Sequence, residues 1–324
     1  MRLTPEKLRA YATRFVDQRS RADLRLLAAY LCGSLRRGQP FLGGAADVDV
    51  VLIYNGAPEP EREIVPLPGK AHLDVRRHDR SRYEPARQLR LVPFLGPALF
   101  AAAPLYDPQH FLDFAQAAVR SRFRAPETAA ARGRALLQQA RDAWFALSDE
   151  LAPAPVAAYL QTVFLGANAV AALLGYAFSP RRVLLDFPVA AQRWGFPELT
   201  GLLFRAVGAP QASPEALAAA QTAWEHALTR LGEHAPPELA PARQPYYRRA
   251  VAAYLQSSTP THALYPLLWT WALALQDDPA AEHLTPWQRT LQTLGLAQHR
   301  AERLDRFLDA LEEALETWER RQGL

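Results

Sequence analysis

Residues 31–54, LCGSLRRGQPFLGGAADVDVVLIY, decide the fold of this chain and contain its first candidate site. The stretch joins two apolar runs, and the second run opens with two aspartates one residue apart, Asp47 and Asp49. Because successive side chains of a β-strand point to opposite faces, both carboxylates are expected on one face. Val48 and Val50 would then point into the core from the other face. The pattern predicts a strand that carries a pair of acids beside a turn.

The turn that follows the first apolar run consists of Gly33 and Ser34. Glycine permits a tight turn and a close approach to a ligand, while a serine hydroxyl and nearby N–H groups suit an anion. Two carboxylates on one face repel each other, and a cation between them relieves the repulsion. Mg²⁺ is held in such sites by one or two carboxylates together with substrate phosphates. The stretch therefore predicts a metal site that handles a nucleotide.

A third aspartate, Asp74, lies between apolar neighbours in the short run 71–76. Aspartate is disfavoured in strands and is costly to bury, so its presence here calls for a partner. His72 and His78 flank Asp74, but their spacing in a strand fits no metal site, and both are expected at the surface.

Composition and charge suit a two-domain globular protein. Of the 324 residues, 49% are hydrophobic and 22% are charged, which is ordinary for a soluble protein. Residues 1–124 hold 20 Arg and Lys against 13 Asp and Glu, whereas residues 125–324 hold 17 against 20. A basic first part suits a polyphosphate, and a mildly acidic second part suits a cationic acceptor.

Cysteine usage and hydropathy favour a cytoplasmic location. The single cysteine, Cys32, excludes an intrachain disulfide and a zinc site built from cysteines, and we interpret it as a core residue. The N-terminal sequence has no signal-peptide core. The most apolar segment, residues 163–178, is short and contains an asparagine, which predicts a buried helix rather than a membrane span.

The hydrophobic pattern predicts strands in the first part of the chain only. Strands are expected at 26–32, 47–54 and 71–76, with a short one at 63–65, after a helix at 5–18. A further helix is expected with Phe111, Phe114 and Ala118 on one side. Beyond residue 125 the predicted elements are all helices, at 127–150, 153–174, 180–193, 197–206, 214–232, 243–256, 261–276, 286–296 and 298–321.

The Gly-Ser turn and the three strand aspartates together resemble the nucleotidyltransferase superfamily with the polymerase-beta-like fold. Residues 33–38, GSLRRG, look like the Gly-Ser-x-Ala-Arg-Gly form of small bacterial members, including antibiotic nucleotidyltransferases, although Arg36 replaces the alanine. The resemblance covers roughly residues 5–120. It implies an α+β chain, with a small mixed-sheet catalytic domain at 1–124 and an all-α substrate-binding or accessory domain at 125–324.

The resemblance also implies a site with two Mg²⁺ ions. One ion activates the attacking oxygen and the other steadies the triphosphate and its leaving group. The implied catalytic and metal-binding residues are Asp47, Asp49 and Asp74, the last on the ion nearer the acceptor and able to help remove its proton. The implied phosphate-binding residues are Gly33 and Ser34, through their N–H groups, and Arg37, through its charge.

The reaction implied is transfer of a nucleoside monophosphate from a nucleoside triphosphate, with ATP the expected donor, to a hydroxyl of a small-molecule acceptor. An aminoglycoside is favoured by analogy and by the acidic helical part. A protein- or RNA-modifying enzyme, resembling an antitoxin, is one alternative, although the long helical part argues against it. A non-catalytic nucleotide-binding protein is another. Neither membrane nor nucleic acid is expected as a partner, and the oligomeric state stays open, with a homodimer among the alternatives.

Overall fold

The computed structural model describes residues 3–231, 235–276 and 281–324. The chain is α+β, with a five-stranded mixed sheet near the N-terminus followed by helices. It divides into two compact units. The first unit consists of Met1–Thr128 and Ala240–Arg249, and the second unit consists of Ala129–Leu239 and Ala250–Leu324.

The sheet of the first unit combines one parallel pair of strands with antiparallel neighbours. Its strands are β1 (Leu26–Leu31), β2 (Ala46–Tyr54), β3 (Arg62–Leu67), β4 (Ala71–Asp79) and β5 (Ala103–Tyr106). Their order in space is β3-β4-β2-β1-β5, with β2 and β4 parallel and every other pair antiparallel. Pro66, which has no N–H to donate to a ladder, lies on the edge strand β3. The strands predicted at 63–65 and 71–76 are thus present but longer than expected.

Helices cover both faces of this sheet. The helices of the first unit are α1 (Pro5–Ala22), α2 (Gly33–Arg36), α3 (Leu95–Ala101) and α4 (Phe111–Arg120). On one face Val48 and Val50 are buried in a cluster with Leu8 of α1, which confirms the predicted alternation. On the other face Ile53 packs in a second cluster with Leu112 of α4. The acids of β2 share this second face.

The apolar side predicted for α4 differs from its buried side. Phe114, predicted on one side with Phe111 and Ala118, is 70% exposed. The buried side instead carries Leu112, Ala115 and Val119. Phe114 is two positions from Leu112, about 200° around a helix, so the two side chains cannot share a face.

The described part of the second unit contains helices and no strand. Its helices are α5 (Pro126–Phe145, whose first residues belong to the first unit), α6 (Pro153–Leu173), α7 (Val183–Trp194), α8 (Leu199–Ala206), α9 (Pro214–Arg230), α10 (Gln244–Leu255, which begins in the first unit), α11 (Leu264–Gln276), α12 (Ala281–Thr293) and α13 (Arg300–Gln322). The predicted start at Thr285-Pro286 is wrong, because α12 already begins at Ala281 and contains Pro286. The end of the helix predicted at 214–232 falls outside the described residues.

Helix α6 is the one described helix that is long and apolar enough to cross a membrane. Of its most apolar window, 78% is buried inside the structure. A core helix has the same length and composition, so the helix is weak evidence for a membrane span.

Candidate functional site

The structure brings the three predicted aspartates onto two neighbouring strands. In the parallel pair β2 and β4, Asp49 lies opposite Asp74, and Asp47 lies opposite His72. Asp47 and Asp74 are buried, whereas Asp49 is partly exposed. Because β2 carries its acids at alternate positions, Asp47 and Asp49 face away from the cluster that contains Val48.

Gly33 and Ser34, which begin the short helix α2, lie against these acids because β1 and β2 are antiparallel neighbours. The N–H of Cys32 donates to the carbonyl of Asp49 at 3.0 Å. Gly33 has φ +72°, and a Cβ at that position would lie 1.8 Å from Asp49 Oδ2. The buried Ser34 hydroxyl donates to Asp47 Oδ1 at 3.3 Å. Glycine at position 33 is therefore required twice, by backbone conformation and by space.

The two arginines of the GSLRRG stretch lie at the surface. Arg37 is exposed and directly follows α2. Arg36 is also exposed, and its Nε donates to the carbonyl of Ala101 at 3.0 Å. The phosphate-binding role of Arg37 stays a prediction.

Asp74 is held by two arginines that the sequence analysis did not identify. Arg62 on β3 donates from Nε to Oδ1 and from Nη2 to Oδ2, both at 2.8 Å. Arg243 places Nη1 3.1 Å from Oδ2. The side chains of Asp74 and Arg243 are 1% and 7% exposed. The one signal available was the aspartate itself, since an acid in an apolar strand requires a cation or a donor.

Arg243 belongs to the segment 240–249, which packs into the first unit. Its guanidinium lies 5.7 and 5.8 Å from the ring centroids of Tyr246 and Tyr247. The ring of Tyr246 also meets the edge of His72, at 5.4 Å between centroids. His72 is fully buried, so its expected surface position is wrong. The reason is that this distant segment covers it.

The spacer between β1 and β2 also packs against this segment. Gly43 has φ +60°, and a Cβ there would lie 2.1 Å from the backbone carbonyl oxygen of Arg249. Only glycine fits so close to another backbone, which explains a glycine in the spacer.

The negative charges of Asp47 and Asp74 disfavour ionisation of Asp49. Burial, followed by the charges of Asp47 and Asp74, raises the pKa of Asp49 to about 7. The positive charges of Arg76 and Arg243 oppose this rise in pKa. An ionised Asp49 is thus under-compensated, and a bound cation would relieve it.

The donor set fits a hard cation at Asp47 and Asp49 but not equally at Asp74. Carboxylate oxygens are the donors that Mg²⁺ prefers, and Asp47 and Asp49 lie on the same face of β2. Both oxygens of Asp74 are instead engaged by guanidinium groups. Over residues 3–231, 235–276 and 281–324, no group of three or more His, Cys, Asp or Glu side chains is arranged to hold a metal ion.

His78 lies on the same strand, further from the acids. It is buried rather than at the surface, which corrects the second histidine expectation. Its Nδ1 lies 2.7 Å from the hydroxyl of Tyr83, which lies 3.1 Å from the hydroxyl of Tyr30. Burial, with the charges of nearby arginines, lowers the pKa of His78 to about 4, so the ring is neutral near pH 7.

In the second unit, Asp186 lies in the apolar stretch VLLDF and is partly buried. The structure pairs it with Arg182 at 3.1 Å on α7, an ordinary contact one helical turn apart.

Comparisons with models of protein families and with curated proteins found no match to this chain.

Proposed function

We propose that this chain is a metal-dependent nucleotidyltransferase with a polymerase-beta-like catalytic domain. It would move a nucleoside monophosphate from a nucleoside triphosphate, with ATP the expected donor, to a hydroxyl of a small-molecule acceptor. The observation that supports this most strongly is the in-register pair Asp49 and Asp74, with Asp47 on the same face and Gly33 against Asp49. Carboxylates on adjacent strands beside a tight glycine turn suit a metal-bound triphosphate.

The proposed roles follow from the position of each side chain. Asp47 and Asp49 would hold Mg²⁺, which when bound neutralises the triphosphate and lowers the pKa of an attacking hydroxyl. Gly33 keeps the backbone close to Asp49, and its N–H with that of Ser34 would bind the terminal phosphates. The Ser34 hydroxyl orients Asp47 through its hydrogen bond.

A turnover assay tests the proposal directly. The full chain is incubated with Mg²⁺, each of the four nucleoside triphosphates labelled at the α-phosphate, and a panel of hydroxylated acceptors that includes aminoglycosides. We expect pyrophosphate release and a labelled acceptor with at least one pair. Asp49→Asn should lower the rate by at least about 100-fold, since a metal ligand stabilises the transition state by several kcal/mol.

The matched control is Asp17→Asn, which changes an exposed acid on α1. It should keep the wild-type rate. Equal rates for wild type and Asp49→Asn, or no turnover with any pair, would reject catalysis at this site.

One observation favours a second candidate, a nucleotide-binding protein without turnover. The oxygens of Asp74 are bound by arginines and are not open to a metal or an acceptor proton. Calorimetry separates the two functions, because a sensor of this kind would bind ATP equally well with and without Mg²⁺. Binding that requires Mg²⁺ supports the transferase.

A further inference from the structure

The Asp74 carboxylate binds two arginine side chains, Arg62 and Arg243. Arg62 grips both of its oxygens at 2.8 Å, which is the bidentate geometry of the strongest arginine–carboxylate pairs. Arg243 adds a third contact at 3.1 Å. The Asp74 side chain is almost completely buried, so its charge depends on these partners rather than on water.

The charge balance leaves little room for a metal ion on Asp74. Arginine stays protonated in proteins, so neither Arg62 nor Arg243 can lose its positive charge to make way for a metal ion. An ion on Asp74 would lie beside two positive charges at contact distance, where like charges repel strongly in a buried site. Together Asp74, Arg62 and Arg243 carry one net positive charge next to Asp47 and Asp49.

Arg243 is also held in place from other sides. The rings of Tyr246 and Tyr247 lie under its guanidinium, and its side chain is buried. The segment that carries it packs on the spacer at Gly43. Although burial opposes a charged Arg243, its pKa is raised, first by Tyr247 and Tyr246 and then by Asp47 and Asp49. Its charge therefore acts on the acid pair.

We propose that the site takes one divalent cation, on Asp47 and Asp49, and that Arg62 and Arg243 replace a second. Asp74 is then a positioning residue that fixes the two guanidinium groups where they can neutralise a triphosphate. This inference rests on the proposed function and names the cation requirement of that same site.

Counting bound Mn²⁺ tests the inference without a turnover readout. The full chain is saturated with a non-hydrolysable ATP analogue, and free Mn²⁺ is measured by electron paramagnetic resonance during a titration. We expect one Mn²⁺ per complex. Asp74→Asn should still bind one Mn²⁺ and should change the Mn²⁺ affinity less than about threefold. Asp49→Asn should lower the Mn²⁺ affinity at least about 30-fold, because Asp49, unlike Asp74, is a direct ligand in this proposal.

A pair of variants tests the role of the arginine charge. Arg243→Gln should weaken binding of the analogue about tenfold, because it removes a positive charge beside the acid pair. Arg243→Lys should restore part of that affinity, because lysine returns the charge without the planar guanidinium. Circular dichroism of each variant checks that it is folded, and the wild-type count decides the question if a variant does not fold.

The outcomes separate this inference from the proposed function. Two Mn²⁺ per wild-type complex, or an equal loss of affinity in Asp74→Asn and Asp49→Asn, would overturn the inference and leave the transferase standing. Equal analogue binding by Arg243→Gln and Arg243→Lys would also overturn it. A wild-type chain that binds no Mn²⁺ with the analogue would overturn both proposals.

Discussion

Asp49 and Asp74 are direct neighbours across the parallel strands β2 and β4. The opposite edge of β2 pairs with β1, whose end leads through Cys32 into the short helix α2 at Gly33. Backbone ladders on both sides therefore set the distance between the acids and Gly33, and no flexible loop is needed to assemble them. Substitutions that disturb β1 or β4 beside Asp49 should consequently change the position of its carboxylate.

Gly33→Ala is expected to displace the carboxylate of Asp49. A Cβ at this position would lie 1.8 Å from Oδ2 and 2.6 Å from Cγ, so the side chain has to rotate away. We expect a loss of about 2–3 kcal/mol in the free energy of unfolding, from positive φ plus the clash. Mn²⁺ affinity in the titration above should fall at least about tenfold, because a ligand is moved.

Gly38→Ala is the matched control for this substitution. Gly38 has φ +75°, close to that of Gly33, but no atom lies within 4 Å of the position of a Cβ. The free energy of unfolding of Gly38→Ala should fall only by the cost of positive φ at an alanine, about 1 kcal/mol, and its Mn²⁺ affinity should not change. Equal Mn²⁺ affinities for Gly33→Ala and Gly38→Ala would contradict the close contact with Asp49.

Arg243→Met is expected to destabilise the first unit. The substitution keeps an apolar stem over Tyr246 and Tyr247 but removes one of the two cations on the buried Asp74. Because Arg62 still compensates the carboxylate, we expect a loss of about 2 kcal/mol rather than the larger cost of an unpaired buried charge. Urea denaturation followed by fluorescence measures it. Arg249→Met, which alters an exposed arginine of the same segment 240–249, should stay within about 0.5 kcal/mol of wild type.

The acids and the turn could be predicted because their signals are local. Alternation along β2 fixes which face Asp47 and Asp49 share, and an apolar run that stops at Gly33 indicates the turn. The change from strands to helices near residue 125 followed from the same kind of pattern. Each of these inferences needed only a few consecutive residues.

The partners of Asp74 could not be predicted because they come from other parts of the chain. Arg62 lies on the edge strand β3, one residue before the predicted strand 63–65, and Arg243 lies just before α10, far from Asp74 along the chain. An arginine gives no periodic signal and is mostly exposed, so nothing local marks one that is buried. The position of His72 was wrong for the same reason, since Tyr246 covers it.

In the second unit, Arg141 is expected to stabilise the pair of helices α5 and α13. Its guanidinium contacts Asp305, Asp309 and Glu312, and its side chain is 14% exposed. Because the three carboxylates are more exposed, we expect Arg141→Met to cost only about 1 kcal/mol, and less in high salt. Thermal unfolding at low and high salt measures this. Arg320→Met, which removes an exposed contact with Glu316, should show no salt-dependent difference from wild type.

His78 is expected to make the folded chain less stable in mild acid. Burial beside Tyr83 lowers its pKa from 6.5 to about 4. Between these two pH values His78 binds a proton in the unfolded chain but not in the folded chain. The free energy of unfolding therefore falls as the pH falls, by up to about 3 kcal/mol, and this contribution stops changing below the folded-state pKa. Urea unfolding at several values between about pH 7 and pH 4 should show a smaller fall for His78→Gln, because glutamine does not titrate. His110→Gln, at an exposed histidine, should retain most of the wild-type dependence, and an unchanged slope in His78→Gln would contradict the prediction.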